Sequence, residues 1–171
     1  MMIDAGDDEN NINTIREKQI YGIEYDSNNL ALLASNMIIH SDGRSNIMWG
    51  DTFDIVPSRL KKDKIIDLGL LNPPFKMAKD DVYEFDFIFS NLDALKEKGT
   101  LVALVPASVV PDITGQNYEY KKRLLATHTL EAVTSLPEEL FSNSKTSVVT
   151  VAIVITAHIP HPKNKETWFG Y

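Results

Sequence analysis

The feature that most constrains this chain is an apolar run, residues 65–75, that ends in a diproline followed by an aromatic residue. A run of this length bounded by prolines is typical of a buried strand in an α/β sheet. Pro73 and Pro74 donate no backbone N–H, so the chain must leave the sheet at the carboxyl end of that strand. Ligands of open α/β sheets bind at this end. The sequence therefore predicts that Asn72 lies where ligand chemistry would take place.

The residue types of this corner suit an exocyclic amine on an aromatic base. Such an amine is a poor nucleophile, because its lone pair is delocalised into the ring. The side-chain oxygen of Asn72 and the carbonyl oxygen of Pro73 can accept its two N–H groups. Phe75 offers a ring face on which a base that has left its duplex can stack. The plain alternative is a strand followed by a proline-rich turn, and four residues alone do not decide between the two.

Composition sets bounds on the class of protein. With 171 residues, 43% of them hydrophobic, the chain forms one ordinary domain with a real core. It has no cysteine, and its four histidines show no ligand spacing, so no disulfide and no metal site are predicted. No apolar run has membrane-spanning length and the acidic N-terminus is not signal-like, which predicts a cytoplasmic protein without a membrane partner.

The net charge of −7 bears on partners. A free-standing DNA-binding domain usually carries a basic footprint, and this chain does not. If nucleic acid is the substrate, most contacts to phosphate are expected to come from another polypeptide. Along the chain we predict a flexible acidic arm with a short helix (1–18), a core (19–157) and a tail (158–171) that is unstructured or truncated.

Two acidic residues end predicted strands in the first part of the core. Glu24 closes the strand over residues 19–26, and a helix capped by Asp26 or Ser27 then runs to His40. An acidic residue at the tip of the second strand of a nucleotide-binding α/β unit accepts hydrogen bonds from ribose hydroxyls. Asp51 ends the strand over residues 46–51 and could accept the adenine amine of a cofactor. The alternatives are an exposed strand-end carboxylate and an ordinary Gly-Asp turn.

The second half of the chain alternates helices and strands. Helical spacing covers residues 83–98, with Gly99 as the C-cap, and residues 118–126. Strands are predicted at 100–105, 130–136 and 147–157, the last two as an antiparallel pair on the edge of the sheet. The aromatic residues of the first helix are interpreted mostly as core: Tyr83, Phe85, Phe87 and Phe89.

Taken in order, these motifs resemble DNA adenine-N6 methyltransferases, above all the catalytic core of the modification (M) subunit of Type I restriction-modification systems. Asn72-Pro73-Pro74-Phe75 matches the catalytic motif of that family, and the likeness extends over about residues 19–156. Further matching segments are Ile20–Glu24, Leu95–Pro106 and Leu130–Phe141. The resemblance implies a Rossmann-like α/β sheet with helices on both faces and late antiparallel strands.

The same resemblance implies the chemistry. The cofactor would be S-adenosylmethionine, with Glu24 on its ribose and Asp51 on its adenine, and the methylated group would be the N6 amine of adenine in DNA. Asn72, Pro73, Pro74 and Phe75 would bind that amine and its base. The partners would be DNA and the specificity and restriction subunits of a Type I system.

The chain departs from the family at its first strand. Family members carry a glycine-rich motif there, where glycines let the backbone approach the cofactor, and nothing upstream of Gln19 supplies one. In the family's sheet this strand lies between the strands that end at Glu24 and Asn72. Its absence predicts unpaired sheet edges and self-association through them. The chain could be a fragment, receive the strand from another polypeptide, or fold with a rearranged sheet.

Two other functions stay open. Methyltransferases with the same corner also act on glutamine side chains of proteins and on RNA bases. A non-catalytic remnant that serves as a binding or assembly module is the second, because the glycine-rich loop is missing from these 171 residues.

Overall fold

The computed structural model describes residues 9–40, 46–63, 65–137 and 148–170. The chain divides into two compact units, Met1–Ile55 and Val56–Tyr171. No helix among the described residues is both long and apolar enough to cross a membrane.

The first unit is a pair of short parallel strands with helices. Its elements are α1 (Glu9–Lys18), β1 (Gly22–Glu24), α2 (Ser27–Ile39), β2 (Ile47–Trp49) and α3 (Thr52–Ile55). The side chain of Asp26 accepts hydrogen bonds from the backbone N–H groups of Asn28, at 2.8 Å, and Asn29, at 3.0 Å. This confirms the predicted N-cap of α2, because an acidic side chain satisfies N–H groups that have no partner within the helix.

The second unit is built around a five-stranded sheet. After a π-helical segment (Val56–Leu60) come β3 (Ile66–Leu71), α4 (Glu84–Ala94), β4 (Leu95–Pro106), α5 (Gly115–Thr127), β5 (Thr129–Ser135), β6 (Thr150–Thr156) and β7 (Trp168–Gly170). The strand order is β3-β4-β6-β5-β7. β3 and β4 are parallel, whereas β6 runs antiparallel to both of its neighbours. The predicted antiparallel pairing of the two late strands is therefore confirmed, and the fold class is mixed α/β. Their predicted place on the edge of the sheet is wrong, because β4 pairs with β6 and β7 pairs with β5.

The core of the second unit lies between one face of this sheet and helices α4 and α5. Alternate residues of β4 are buried on that face, and residues of β6 lie opposite them, as the two-residue period of a strand requires. On α4 the buried residues recur at helical spacing, and they include the predicted core residues Phe85 and Phe89. The central members of this cluster are Leu101, Ala103, Val105, Ile153, Ile155, Ile88 and Leu92.

β3 differs from its prediction as a buried strand. Only Gly69 is buried, while the side chains of Leu68 and Leu70 are 48% and 72% exposed. Leu68 and Leu70 point to the face of the strand opposite Gly69, and it is Gly69 that faces Asn91 of α4. β3 lies at an edge of its sheet and, within the described residues, pairs with β4 alone. β1 likewise pairs only with β2 in the part of the chain that the structure describes.

Two other boundaries were predicted wrongly. Helix α4 ends at Ala94 instead of Lys98, and Gly99 lies inside β4 instead of capping the helix. Long-range pairing decides this, because the carbonyl oxygen of Gly99 accepts a hydrogen bond from the N–H of Ala157 at 2.8 Å. The helical pattern of the sequence cannot reveal a strand partner that lies 58 positions further along the chain (157 − 99).

The predicted unstructured tail was also wrong for the residues that the structure describes. β7 pairs in parallel with β5, and the hydroxyl of Thr167 donates to the carbonyl oxygen of Leu130 at 3.0 Å. Lys165 forms an ion pair with Glu131 at 2.8 Å. The predicted helix at the end of the arm is present as α1. Residues 1–8 of that arm, and residues 138–141 at the end of the matching segment Leu130–Phe141, lie outside the described residues.

A buried histidine makes the stability of this unit depend on pH. His128 is 6% exposed, and its Nδ1 accepts a hydrogen bond from the N–H of His158 at 2.9 Å. Burial, together with the neighbouring His158 and Arg123, lowers the pKa of His128 to about 4, against the opposing effect of Asp93. Because protonation is disfavoured in the folded state, the stabilisation is complete above about pH 6.5 and is lost as the pH falls toward 4.

We expect the free energy of unfolding to fall by about 2 kcal/mol between pH 7 and pH 5 from this group alone. Urea unfolding at both pH values measures the change. In His128→Gln the difference between the two pH values should shrink by that amount, whereas His40→Gln on the surface should keep it. An unchanged difference in His128→Gln would assign the acid sensitivity to other groups.

Candidate functional site

The two predicted cofactor residues lie together in the first unit. The N–H of Gly50 donates to the carbonyl oxygen of Glu24 at 3.0 Å, so Glu24 and Asp51 stand at the adjoining carboxyl ends of two parallel strands. Both residues are half-buried. This end of parallel strands is where α/β sheets bind ligands.

Each carboxylate is held by its own loop. One oxygen of Glu24 accepts the N–H of Asp26 at 2.8 Å, and one oxygen of Asp51 accepts the N–H of Phe53 at 2.9 Å. An ionised carboxylate has about four acceptor positions, so hydroxyl and amine donors can still bind. The pair therefore fits the ribose and adenine end of a nucleoside cofactor, and that role stays a prediction.

Gly50 makes the turn that brings Asp51 to this edge. Its φ of +143° is a conformation that other residues rarely adopt. A Cβ at this position would also lie 2.9 Å from Cδ1 of Ile55. The strand can therefore end abruptly, and the carbonyl oxygen of Asp51 accepts the N–H groups of Asp54 and Ile55 in α3.

The diproline corner leaves the second unit's sheet where it was predicted. β3 pairs with β4 as far as Leu71, and the next residue, Asn72, is exposed. Pro73 is buried and Pro74 is exposed, which fixes the main chain while leaving the asparagine side chain accessible. Phe75 is half-buried. The four residues of the motif thus alternate between anchoring and accessible positions.

A cavity of about 350 Å³ begins at Phe75, near the carboxyl ends of β3 and β4. Its size lies in the range of small-molecule sites. The residues that contribute ring, carboxylate, hydroxyl and amide groups to the wall are Phe75, Tyr83, Glu84, Ser108 and Asn117. Among the described residues, Asn72, Pro73 and Pro74 precede the cavity in the chain without lining it. The predicted stacking residue faces the cavity, and the predicted amine-binding residue lies three positions before it.

Tyr83 corrects an interpretation from the sequence. It was grouped with the core aromatics, but it is half-buried and lines the cavity. Its ring lies 5.5 Å from the ring of Tyr120, which in turn stacks on Phe85 at 5.5 Å. The hydroxyl of Tyr120 donates to Asp86 at 2.7 Å, and burial, with this carboxylate, raises the pKa of Tyr120 to about 12. The cavity wall is therefore backed by a neutral aromatic cluster tied to the core.

Asn117 is a wall residue that the sequence did not reveal. Its amide nitrogen donates to Asp112 at 2.8 Å, which fixes the orientation of the amide. Its Oδ1 is buried and has no hydrogen-bond partner among the described residues. A buried acceptor without a donor is costly, and such costs are common at binding sites. Nothing in the local pattern of α5 distinguishes this asparagine from a solvated one.

The segment after the motif, residues 76–81, is closed by its own hydrogen bonds. Oδ2 of Asp81 accepts the N–H groups of Met77, at 2.9 Å, and Ala78, at 2.7 Å. These bonds, first the one from Ala78, lower the pKa of Asp81. The ammonium of Lys76 donates to the carbonyl oxygens of Lys79 and Asp81 and lies 4.5 Å from the centre of the Tyr83 ring. Lys76 is therefore bound inside this loop at the rim of the cavity.

Comparisons with known proteins agree on one family. The sequence profile of N-6 DNA Methylase matches residues 1–170. The chain is 30% identical over 174 aligned positions to the Type II restriction enzyme and methyltransferase RM.BcgI of Heyndrickxia coagulans, covering 98% of this chain and 26% of that protein. It thus spans about a quarter of the curated relative that it matches.

Two solved structures are similar in fold. The Type I restriction enzyme EcoKI M protein superposes with a TM-score of 0.69 at 18% identity, over 88% of this chain and 33% of that one. A proposed class I S-adenosylmethionine-dependent methyltransferase from Listeria monocytogenes superposes with a TM-score of 0.61 at 18% identity, over 87% and 48% of the two chains. At 18% sequence identity the superpositions show similarity of fold only.

Proposed function

The chain belongs to the N-6 DNA Methylase family, and from this premise we propose that it carries the catalytic residues for methylating the N6 amine of adenine in DNA within a restriction-modification system. Its fold is that of the class I S-adenosylmethionine-dependent methyltransferases. The observation that supports the proposal most directly is the cavity beside the diproline corner. A ring, Phe75, faces a space large enough for a base, and an accessible asparagine precedes it by three residues.

In the proposed reaction the corner binds the target amine. Oδ1 of Asn72 and the carbonyl oxygen of Pro73 accept hydrogen bonds from its two N–H groups. These bonds hold the nitrogen pyramidal, so that its lone pair is no longer delocalised into the ring. Phe75 stacks on the base, which has been turned out of the duplex. The buried ring of Pro73 fixes the carbonyl, so little reorganisation accompanies the reaction. No general base is needed, because the amine becomes acidic once it is methylated.

The cofactor that fits the first unit is S-adenosylmethionine, which supplies an electrophilic methyl group when bound. Glu24 would accept hydrogen bonds from its ribose and Asp51 from its adenine amine. Both carboxylates are oriented by main-chain N–H groups before any ligand arrives. Such preorganisation lowers the cost of ordering side chains on binding.

The partners that we propose are DNA and the specificity and restriction subunits of a Type I system, in the cytoplasm. The net charge of −7 supports a chain that borrows its affinity for DNA phosphates from other subunits. RM.BcgI is named as both a restriction enzyme and a methyltransferase. We also propose that residues 1–171 on their own associate through the open edge of β3. Sedimentation that finds only monomers at high concentration would reject this association.

A second candidate is a binding or assembly module without catalysis. Its support comes from exposed apolar side chains that are unusual for a free enzyme surface. Leu70 on β3 is 72% exposed, and Leu32 and Ile39 on α2 are 64% and 74% exposed. Among the described side chains of α2 none is buried.

The deciding experiment identifies the methyl acceptor. The full-length protein is incubated with labelled S-adenosylmethionine and with unmethylated DNA, RNA or protein in parallel, and the products are hydrolysed and separated. We expect label in N6-methyldeoxyadenosine. Label in glutamine or in an RNA base would replace DNA as the substrate. Absence of label from every acceptor, with partner subunits still bound, would favour the assembly module.

A further inference from the structure

A buried carboxylate stands in the cavity wall without a role in the chemistry described above. Glu84 is the first residue of α4 and only 2% exposed. One of its oxygens accepts the backbone N–H of Lys76 at 2.7 Å, a short charge-assisted hydrogen bond. Removing a carboxylate from water is expensive unless its hydrogen bonds are replaced. This bond to a main-chain N–H, with the N-terminal end of α4 beside it, offsets that cost.

The bond joins the loop that follows the diproline motif to a helix that is packed in the core. Beyond Glu84, helix α4 is fixed in the core through Phe85, which is 3% exposed, and Ile88, which is fully buried. On the other side, Lys76 directly follows Phe75, the ring that faces the cavity. A fixed N–H at Lys76 therefore fixes the peptide that carries Phe75. The position of the Phe75 ring is therefore fixed relative to the core of the second unit.

The remaining hydrogen bonds of the loop do not serve this purpose. Asp81 binds the N–H groups of Met77 and Ala78, and the ammonium of Lys76 binds carbonyl oxygens of the same loop. These bonds stabilise the conformation of the loop formed by residues 76–81. Without Glu84 the loop would keep this conformation, but its first residue, Lys76, would lose its hydrogen bond to α4.

We propose that Glu84 is a positioning residue for the methyl transfer, holding the main chain at Lys76 so that Phe75 forms the wall against which the target base stacks. This inference rests on the proposed function. It assigns Glu84 an acceptor role toward the protein's own backbone, and no proton transfer to or from the substrate. A neutral side chain of the same length with an oxygen at the same place should therefore serve nearly as well.

Two variants of the full-length protein test this. Glu84→Gln keeps an oxygen that can accept the N–H of Lys76, and Glu84→Ala removes it. We expect Glu84→Ala to lower kcat about 100-fold, since small displacements of a bound reactant have effects of this size, with the KM for the cofactor unchanged. Glu84→Gln should recover most of the rate and keep the wild-type pH profile. The matched control is Glu119→Ala, which removes an exposed carboxylate that pairs with Lys122 on α5.

Hydrogen exchange gives a readout that does not depend on activity. The amide of Lys76 should be protected in the wild type and in Glu84→Gln, and should exchange at least about tenfold faster in Glu84→Ala. The amides of Met77 and Ala78 should keep their protection in all three, because their acceptor is Asp81. Equal melting temperatures of the cofactor-free proteins, within a few degrees, show that the variants fold.

The outcomes separate the two proposals. If the wild type methylates adenine and Glu84→Gln is as inactive as Glu84→Ala, the charge itself is required and the positioning role is overturned. It is overturned as well if Glu84→Ala keeps the wild-type rate. If the wild type transfers no methyl group while the exchange pattern is as expected, the proposed function fails and the anchoring of Lys76 stands.

Discussion

Asn72→Ala should abolish methyl transfer by the full-length protein, with a loss on the order of 10³-fold or more in kcat. The truncated side chain leaves one N–H of the target amine without its acceptor, so the lone pair stays delocalised into the base. The loss should fall on kcat more than on the KM for DNA, because the missing interaction matters most when the nitrogen becomes pyramidal. Asn72→Asp keeps an acceptor oxygen and should retain more activity than alanine.

The exposure of Asn72 makes this experiment interpretable. The residue lies outside the core, so alanine should change the free energy of unfolding by no more than about 0.5 kcal/mol. A matched control is Asn36→Ala, which removes an exposed asparagine from α2. Activity is measured as label transferred to DNA, and stability by urea unfolding of the same samples. Wild-type turnover by Asn72→Ala would reject the assigned role of the corner.

Features that depend on neighbouring residues were predictable from the sequence. The N-cap at Asp26, the sharp turn at Gly50 and the exit of the chain at Asn72 each follow from the chemistry of one or two side chains. The helical period of α4 identified Phe85 and Phe89 as core residues. In each case the physical cause acts over a few positions, where a sequence can be interpreted directly.

Features that depend on distant pairing were not predictable. The early end of α4 reflects strand pairing between Gly99 and Ala157. The order in the tail reflects pairing of β7 with β5. The burial expected for β3 was wrong because the burial of a side chain depends on what packs against its face of the sheet. Leu70 is apolar, yet it points to the face opposite Gly69, and Gly69 is the residue that faces α4. The apolar composition of a strand shows that its side chains can be buried, whereas the arrangement of the fold determines whether they are.

The candidate site divides in the same way. Asn72 and Phe75 could be identified because the motif is contiguous. Glu84 and Asn117 could not, since their significance comes from burial and from facing one cavity. An acidic residue at the start of an apolar helix is common and favourable on the surface. Only the structure distinguishes the buried glutamate, whose partner is eight residues earlier.

The last expectation concerns the cofactor and the missing glycine-rich strand. A ligand at about 100 times its dissociation constant stabilises a protein by roughly 2.7 kcal/mol if it binds the folded state alone. We expect S-adenosylmethionine to give little or no such shift for residues 1–171, although the carboxylates of Glu24 and Asp51 are each held by a main-chain N–H. The role proposed for these carboxylates covers only the nucleoside end, and residues 1–18 contain no glycine-rich motif that could approach the methionine end.

The control for this thermal-shift experiment is a longer chain in which an apolar strand with a Gly-x-Gly turn precedes Gln19. It should show the full shift, and Asp51→Ala in that longer chain should reduce it. Thermal melting with and without cofactor measures both. The added strand would supply pairing at an open strand edge, so cofactor-free stability should rise with it. A clear shift for residues 1–171 alone would show that the binding site is already complete and that the glycine-rich strand is dispensable.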